Sequence, residues 1–204
     1  SRAVRFIILL LVLLSGTACA PRKPPATAAE PTFAGRDTCA ACHAAEAQAW
    51  SGSHHDLAMD EPTARSVRGR FDGVSFDGRS VTAAFLEKDG RFLISTTGAD
   101  GKPAELPVAW TFGVAPLQQY LVPFPGGRFQ AFGVAWDDRP TAAGGQRWYD
   151  LYPDQALKAG DPLHWTGIDQ TWNYQCAECH STNLRKGYDA ATRSYQTTWA
   201  EPDV

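Results

Sequence analysis

The chain has 204 residues, of which 44% are hydrophobic and 20% charged, with a formal net charge of −3. Beyond residue 34, once Arg2, Arg5, Arg22, Lys23 and Glu30 are set aside, 15 basic and 21 acidic residues remain, a net of −6, which argues against a nucleic-acid partner. Four of the five cysteines fall in two copies of one short pattern, so no thiols are left for a disulfide framework.

The first residues read as an address. Arg2 and Arg5 form a positive start, and Phe6 to Leu14 is an unbroken apolar run, too short for a stable transmembrane helix and suited to a signal peptide. Small residues then precede Cys19 in Ser15-Gly16-Thr17-Ala18-Cys19-Ala20-Pro21. This looks like a bacterial lipobox, with Gly16 where leucine is usual. The rival cleavage site, Ala18-Cys19-Ala20, would set Pro21 after the scissile bond. The expectation is a signal peptide over 1–19 with lipidation at Cys19, and export to the periplasmic or outer-surface side of a bacterial membrane. A Pro-rich linker over 20–34 follows, and order is expected from near Phe33.

Cys39-Ala40-Ala41-Cys42-His43 opens the folded part, and Cys176-Ala177-Glu178-Cys179-His180 repeats its pattern near the end. Both read C-x-x-C-H, the attachment signature of a c-type haem. On one helical turn two thiols can each form a thioether to the porphyrin while the following imidazole reaches the iron. With five histidines in the chain, a His follows an arbitrary C-x-x-C about one time in 40, so coincidence twice over is a poor explanation. A four-cysteine zinc site usually sets its knuckles about 15 to 20 residues apart, far closer than Cys42 and Cys176. A thioredoxin-like pair would need a preceding strand and βαβ context, which neither copy has.

Between the motifs the texture changes. Asp37 to Trp50 is Ala-rich and predicts one helix capped by Asp37 or Thr38. From Phe71 a meander is expected: Val81 to Leu86, a turn at Lys88-Asp89-Gly90, then Arg91 to Thr96 with Phe92, Ile94 and Thr96 alternating. Leu106 to Phe112, Gln118 to Val122 and Phe129 to Trp136 are further strands, the last two flanking Pro125-Gly126-Gly127. A short helix is predicted after Tyr152-Pro153 to Lys158, and a second over Ile168 to Gln175. The tail from Tyr188 is polar and carries little period. The fold class expected is α+β: short haem-binding helices flanking an antiparallel β insert at 71–140, with a first haem lobe over 35–66 and a second haem region over 145–190.

His43 and His180 are the proximal ligands in this reading, leaving His54, His55 and His164 as candidate distal ligands for two haems c. Adjacent residues point in different directions, so one of His54 and His55 is expected to ligate. Met59, the lone methionine, is the competing ligand, with ordinary packing as its preferred role.

Several segments resemble multihaem cytochromes of the c-552/4 type: Trp50-Ser51-Gly52-Ser53-His54-His55-Asp56-Leu57-Ala58-Met59, Thr111-Phe112-Gly113-Val114-Ala115-Pro116-Leu117-Gln118-Gln119-Tyr120, Phe124-Pro125-Gly126-Gly127-Arg128, Gly145-Gln146-Arg147-Trp148, and the surroundings of His164 and His180. In that family a W-x-x-S-x-H pattern often supplies a distal histidine, and it maps onto Trp50, Ser53 and His55. The resemblance also implies that a further haem motif and tetratricopeptide repeats follow in a longer protein. It implies electron transfer with redox partner proteins. The rival readings are a multihaem oxidoreductase acting on small nitrogen compounds, which needs an open iron position, and a haem-containing interaction platform. The histidine count favours a carrier over a catalyst.

Overall fold

Burial alternates along the central strands as the sequence predicts. In this computed structural model, which describes residues 31–202, β3 (Thr82–Lys88) turns Ala83 and Phe85 inward, and β4 (Arg91–Thr97) buries Phe92, Ile94 and Thr96. The signal-peptide, linker and Cys19 expectations lie outside the described residues, apart from the last linker positions. Strands β2 (Asp72–Asp77), β3, β4 and β5 (Pro103–Pro107) form an antiparallel sheet in chain order. A second antiparallel sheet has the order β1 (Met59–Asp60), β6 (Trp110–Phe112), β7 (Leu117–Phe124), β9 (Val134–Asp137), β10 (Arg147–Asp150), with β8 (Arg128–Ala131) also on β7.

An aromatic core joins the two sheets. Phe71 makes edge-to-face contacts with Phe85, Phe92, Tyr120 and Trp148, and Phe85 stacks on Trp148 at 3.5 Å. Each such side chain contributes about 1.5–3 kcal/mol by burial, and ring pairs add about 0.5–1.5 kcal/mol. Tyr120 buries its hydroxyl in this core, yet the group is satisfied: it donates to Gln118 Oε1 at 2.6 Å and accepts from Gly69 N–H at 2.9 Å.

The expected strand Leu106 to Phe112 is two strands, because the chain changes sheets there. Val108 N–H still donates to Phe92 O of β4, whereas Ala109 N–H already donates to Leu121 O of β7. Phe129 to Trp136 is likewise divided at Phe132-Gly133 into β8 and β9. The β region is wider than 71–140, since Met59–Asp60 and Arg147–Asp150 both pair into the second sheet.

The helical expectations need more correction. Asp37 to Trp50 is two helices, α1 (Arg36–Ala40) and α2 (Ala44–Trp50), separated where His43 leaves helical geometry at φ −115, ψ 49. Neither Asp37 nor Thr38 caps; Gly35 holds the N-cap position, and the Thr38 hydroxyl donates back to Ala34 O. No helix forms between Pro153 and Lys158. The second expected helix is a 3-10 turn (Ile168–Gln170) followed by α3 (Trp172–Gln175), interrupted at Thr171. Thr171 is extended because its backbone bridges Gln130 and its hydroxyl donates to Gln130 Oε1 at 2.7 Å. The tail also has structure: β11 (Ser181–Thr182) pairs with β14 (Glu201–Pro202), and β12 (Tyr188–Asp189) with β13 (Ser194–Tyr195). It returns to the Pro125-Gly126-Gly127 turn, where Tyr195 N–H donates to Gly126 O and any Cβ on Gly127 would strike the Tyr195 carbonyl.

Candidate haem-binding site

The two pentapeptides fold into the same turn. In the first, the Cys42 and His43 N–H groups both donate to Cys39 O, at 3.1 and 2.9 Å; in the second, the Cys179 and His180 N–H groups both donate to Cys176 O, at 3.1 Å each. Both bonds close within five residues, so the motif alone suffices to form them. All four thiols are unpaired, with Cys39, Cys42 and Cys179 exposed and Cys176 half-buried. Burial, reinforced by Cys179, pushes the Cys176 thiol pKa up. Among the described residues no three His, Cys, Asp or Glu side chains converge as they would around a bare metal ion. The thiols stand as two separate pairs, each followed by its own imidazole, which is the donor set that a covalently attached haem requires.

The surroundings of the two turns differ. Neither α1 nor α2 has a buried residue, and the His43 side chain is 71% exposed. Polar contacts hold this lobe: Arg36 lies over the Trp50 ring at 4.6 Å and donates to Asp56 Oδ1 at 3.2 Å. Asp56 Oδ2 accepts from Gly52 N–H, and Ser53 Oγ accepts from Asp56 N–H. Trp50, Ser53 and Asp56 thereby shape the turn that carries His54 and His55.

The second turn is built into a core. Trp172 and Ala177 are fully buried beside Met59, Leu121 and Ala131, with Cys176 and Trp199 packed against them. Asn173, also buried, joins α3 to β8 and the tail: its Oδ1 accepts from Phe129 N–H at 2.7 Å and its Nδ2 donates to Thr197 Oγ1 at 2.8 Å. Ser181 Oγ donates to Ala177 O, and Lys186 pairs with Glu178 of the motif at 3.0 Å. Met59 takes the packing role expected of it, in register with Phe112.

Strand pairing brings the lobes together. Met59 opposes Phe112 in the β1/β6 pair, and Gly113 N–H donates to Ala58 O at 2.6 Å, which seats the His54-His55 turn against the end of β6. His180 packs edge-on against Phe112 with ring centres 5.0 Å apart. The result is a cavity of about 280 Å³ lined by His54, His55, Ala58, Phe112, Gly113, Leu117, Gln119 and His180. Gly113 is required here: its φ is +85, and a Cβ would lie 2.7 Å from Leu117 O.

His164 lies elsewhere. It is buried beside Trp165 and lines a different cavity, with Nδ1 2.8 Å from Thr166 Oγ1 and accepting from Thr166 N–H at 3.3 Å. Sequence reasoning did not single out Phe112, Leu117 and Gln119 as cavity walls, nor Asn173 as the anchor of the second turn. The only sequence trace of the walls was the resemblance of the 111–120 segment to multihaem cytochromes.

Searches of curated proteins and of solved structures return no match. The family model described as cytochrome c554 and c-prime matches residues 38–72, a stretch holding the first C-x-x-C-H motif and the Trp50, Ser53, His55 pattern. That match, with two identical turns of free thiols and imidazole, supports a c-type cytochrome that carries covalently bound haem and transfers electrons.

Proposed function

We propose that this protein is an exported cytochrome that binds two haems c and relays electrons between redox partner proteins, tethered to a membrane through a lipid on Cys19. Cys39 and Cys42 form the thioethers of one haem, and Cys176 and Cys179 those of the other, with His43 and His180 as the proximal ligands. Haem iron supplies the one-electron couple, and covalent attachment keeps the cofactor in place. The observation that carries the reading is the cavity shared by His180 with His54 and His55. A histidine of the first lobe, His54 or His55, would complete the coordination at His180 and would close that iron to substrate. Phe112 fixes the His180 ring, and the Trp172 cluster excludes water behind the turn.

His164 is not assigned to an iron. It lines a different cavity from the one that His54, His55 and His180 share, and its Nδ1 is engaged by Thr166. The test is the mass and electronic spectrum of the matured protein, followed by carbon monoxide. Two thioether-linked haems, with the iron at His180 low-spin and unreactive, are expected. A single haem would refute the two-haem reading, and a ligand-binding, high-spin iron at His180 would favour catalysis.

A further inference from the structure

The cavity that His164 lines, about 330 Å³ in volume, lies between the β2–β3 turn, the end of β4 and the 157–165 loop. Arg79, Lys158 and His164 line it, and no carboxylate does. Neither the Arg79 guanidinium nor the Lys158 ammonium makes an ion pair or side-chain hydrogen bond among the described residues. Of the acids nearby, Asp77 Oδ1 accepts from Thr82 Oγ1 and Asp161 Oδ2 from Lys158 N–H, while Asp150, which lies beside Gly78 and keeps one buried carboxylate oxygen without a partner, lines a neighbouring cavity with Arg79. In a folded part with a net charge of −6, a concave site lined by two unpaired cations and no carboxylate, with Asp161 just behind Lys158, carries an excess of positive charge.

His164 gives the site a fixed donor. Thr166 engages Nδ1, which leaves Nε2 as the ring nitrogen without a protein partner among the described residues, and the residue lines the cavity. Burial lowers the His164 pKa, against the opposing effect of the Asp161 carboxylate. The floor is rigid: Ser80 Oγ donates to Gln155 O and accepts from Leu157 N–H, tying the β2–β3 turn to the 157–165 loop.

We propose that this cavity is a binding site for a small inorganic oxyanion of the phosphate or sulfate class, held by the Arg79 guanidinium, the Lys158 ammonium and the His164 Nε2–H. A guanidinium and an ammonium give charge-assisted bonds to separate oxygens, and the buried imidazole fixes orientation. The site is separate from the haem reading and requires only that His164 be free of iron.

Calorimetric titration of the haem-loaded protein with inorganic phosphate, at constant ionic strength set with chloride, tests it. One saturable site per chain is expected, weakened at least tenfold in the R79Q/K158Q double variant, whose exposed positions leave folding and the haem spectrum unchanged. Sulfate is expected to compete. Absence of saturable heat, or equal affinity in the double variant, would overturn the proposal. So would a change of haem spin state in H164Q, because His164 would then be an iron ligand.

Discussion

The same five-residue pattern sits in two unlike settings. Around Cys39 it rides on two short helices without a buried residue, held by Arg36, Trp50 and Asp56 at the surface; around Cys176 it is set in a core of Trp172, Ala177, Met59 and Leu121. The backbone turn is nevertheless the same. The motif alone thus fixes the backbone turn, while tertiary packing decides what surrounds each copy. Beside the second turn, the cavity that His180 lines is also lined by the first lobe's own histidines, His54 and His55.

The largest way to break this comparison is to remove one set of thiols. Replacing Cys176 and Cys179 by Ala should lower the haem content from two per chain to one by pyridine haemochrome assay, with the remaining haem mapped to the Cys39 peptide. Two haems in that variant would disprove the assignment. Next in size is the contrast in packing. Trp172→Ala should cost about 3–5 kcal/mol, the range for a buried aromatic, whereas Trp50→Ala, on the exposed lobe, should cost well under half of that in denaturant unfolding. Equal costs would remove the distinction between the lobes.

Acid unfolding asks whether the two settings melt together. Asp137, buried at the end of β9, is held down to a pKa of about 2 first by its hydrogen bonds from the Arg139 side chain, at 2.6 and 2.9 Å. An unfolded Asp titrates near 3.9, so the carboxylate's stabilisation is complete above about pH 4 and is lost as pH falls toward about 2. Asp137→Asn should flatten stability across that window for both haem regions alike; a flattening confined to one region would show that they unfold separately. The smallest effect belongs to Arg36→Met, which breaks an exposed ion pair with Asp56 and should cost about 0–1 kcal/mol by thermal unfolding.

What could be read from the sequence follows the range of the interactions. The C-x-x-C-H turns close within five residues, and the alternation of Phe92, Ile94 and Thr96 is a local period; both are visible without tertiary context. The cavity depends on the register of Met59 against Phe112 and on a bond from Gly113 to Ala58, links across more than 50 residues that no window of sequence contains. Thr171 breaks the expected helix for a similar reason, since its partner is Gln130. The tail strands leave no period in the sequence because each is two residues long.

The central claim is that a first-lobe histidine ligates the iron at His180. It is tested most directly by the electron paramagnetic resonance spectrum of a chain with Cys39 and Cys42 replaced by Ala, in which only the second haem remains. The account predicts a low-spin signal that becomes high-spin when His54 and His55 are both replaced by Ala. A signal still low-spin after the double replacement would contradict it.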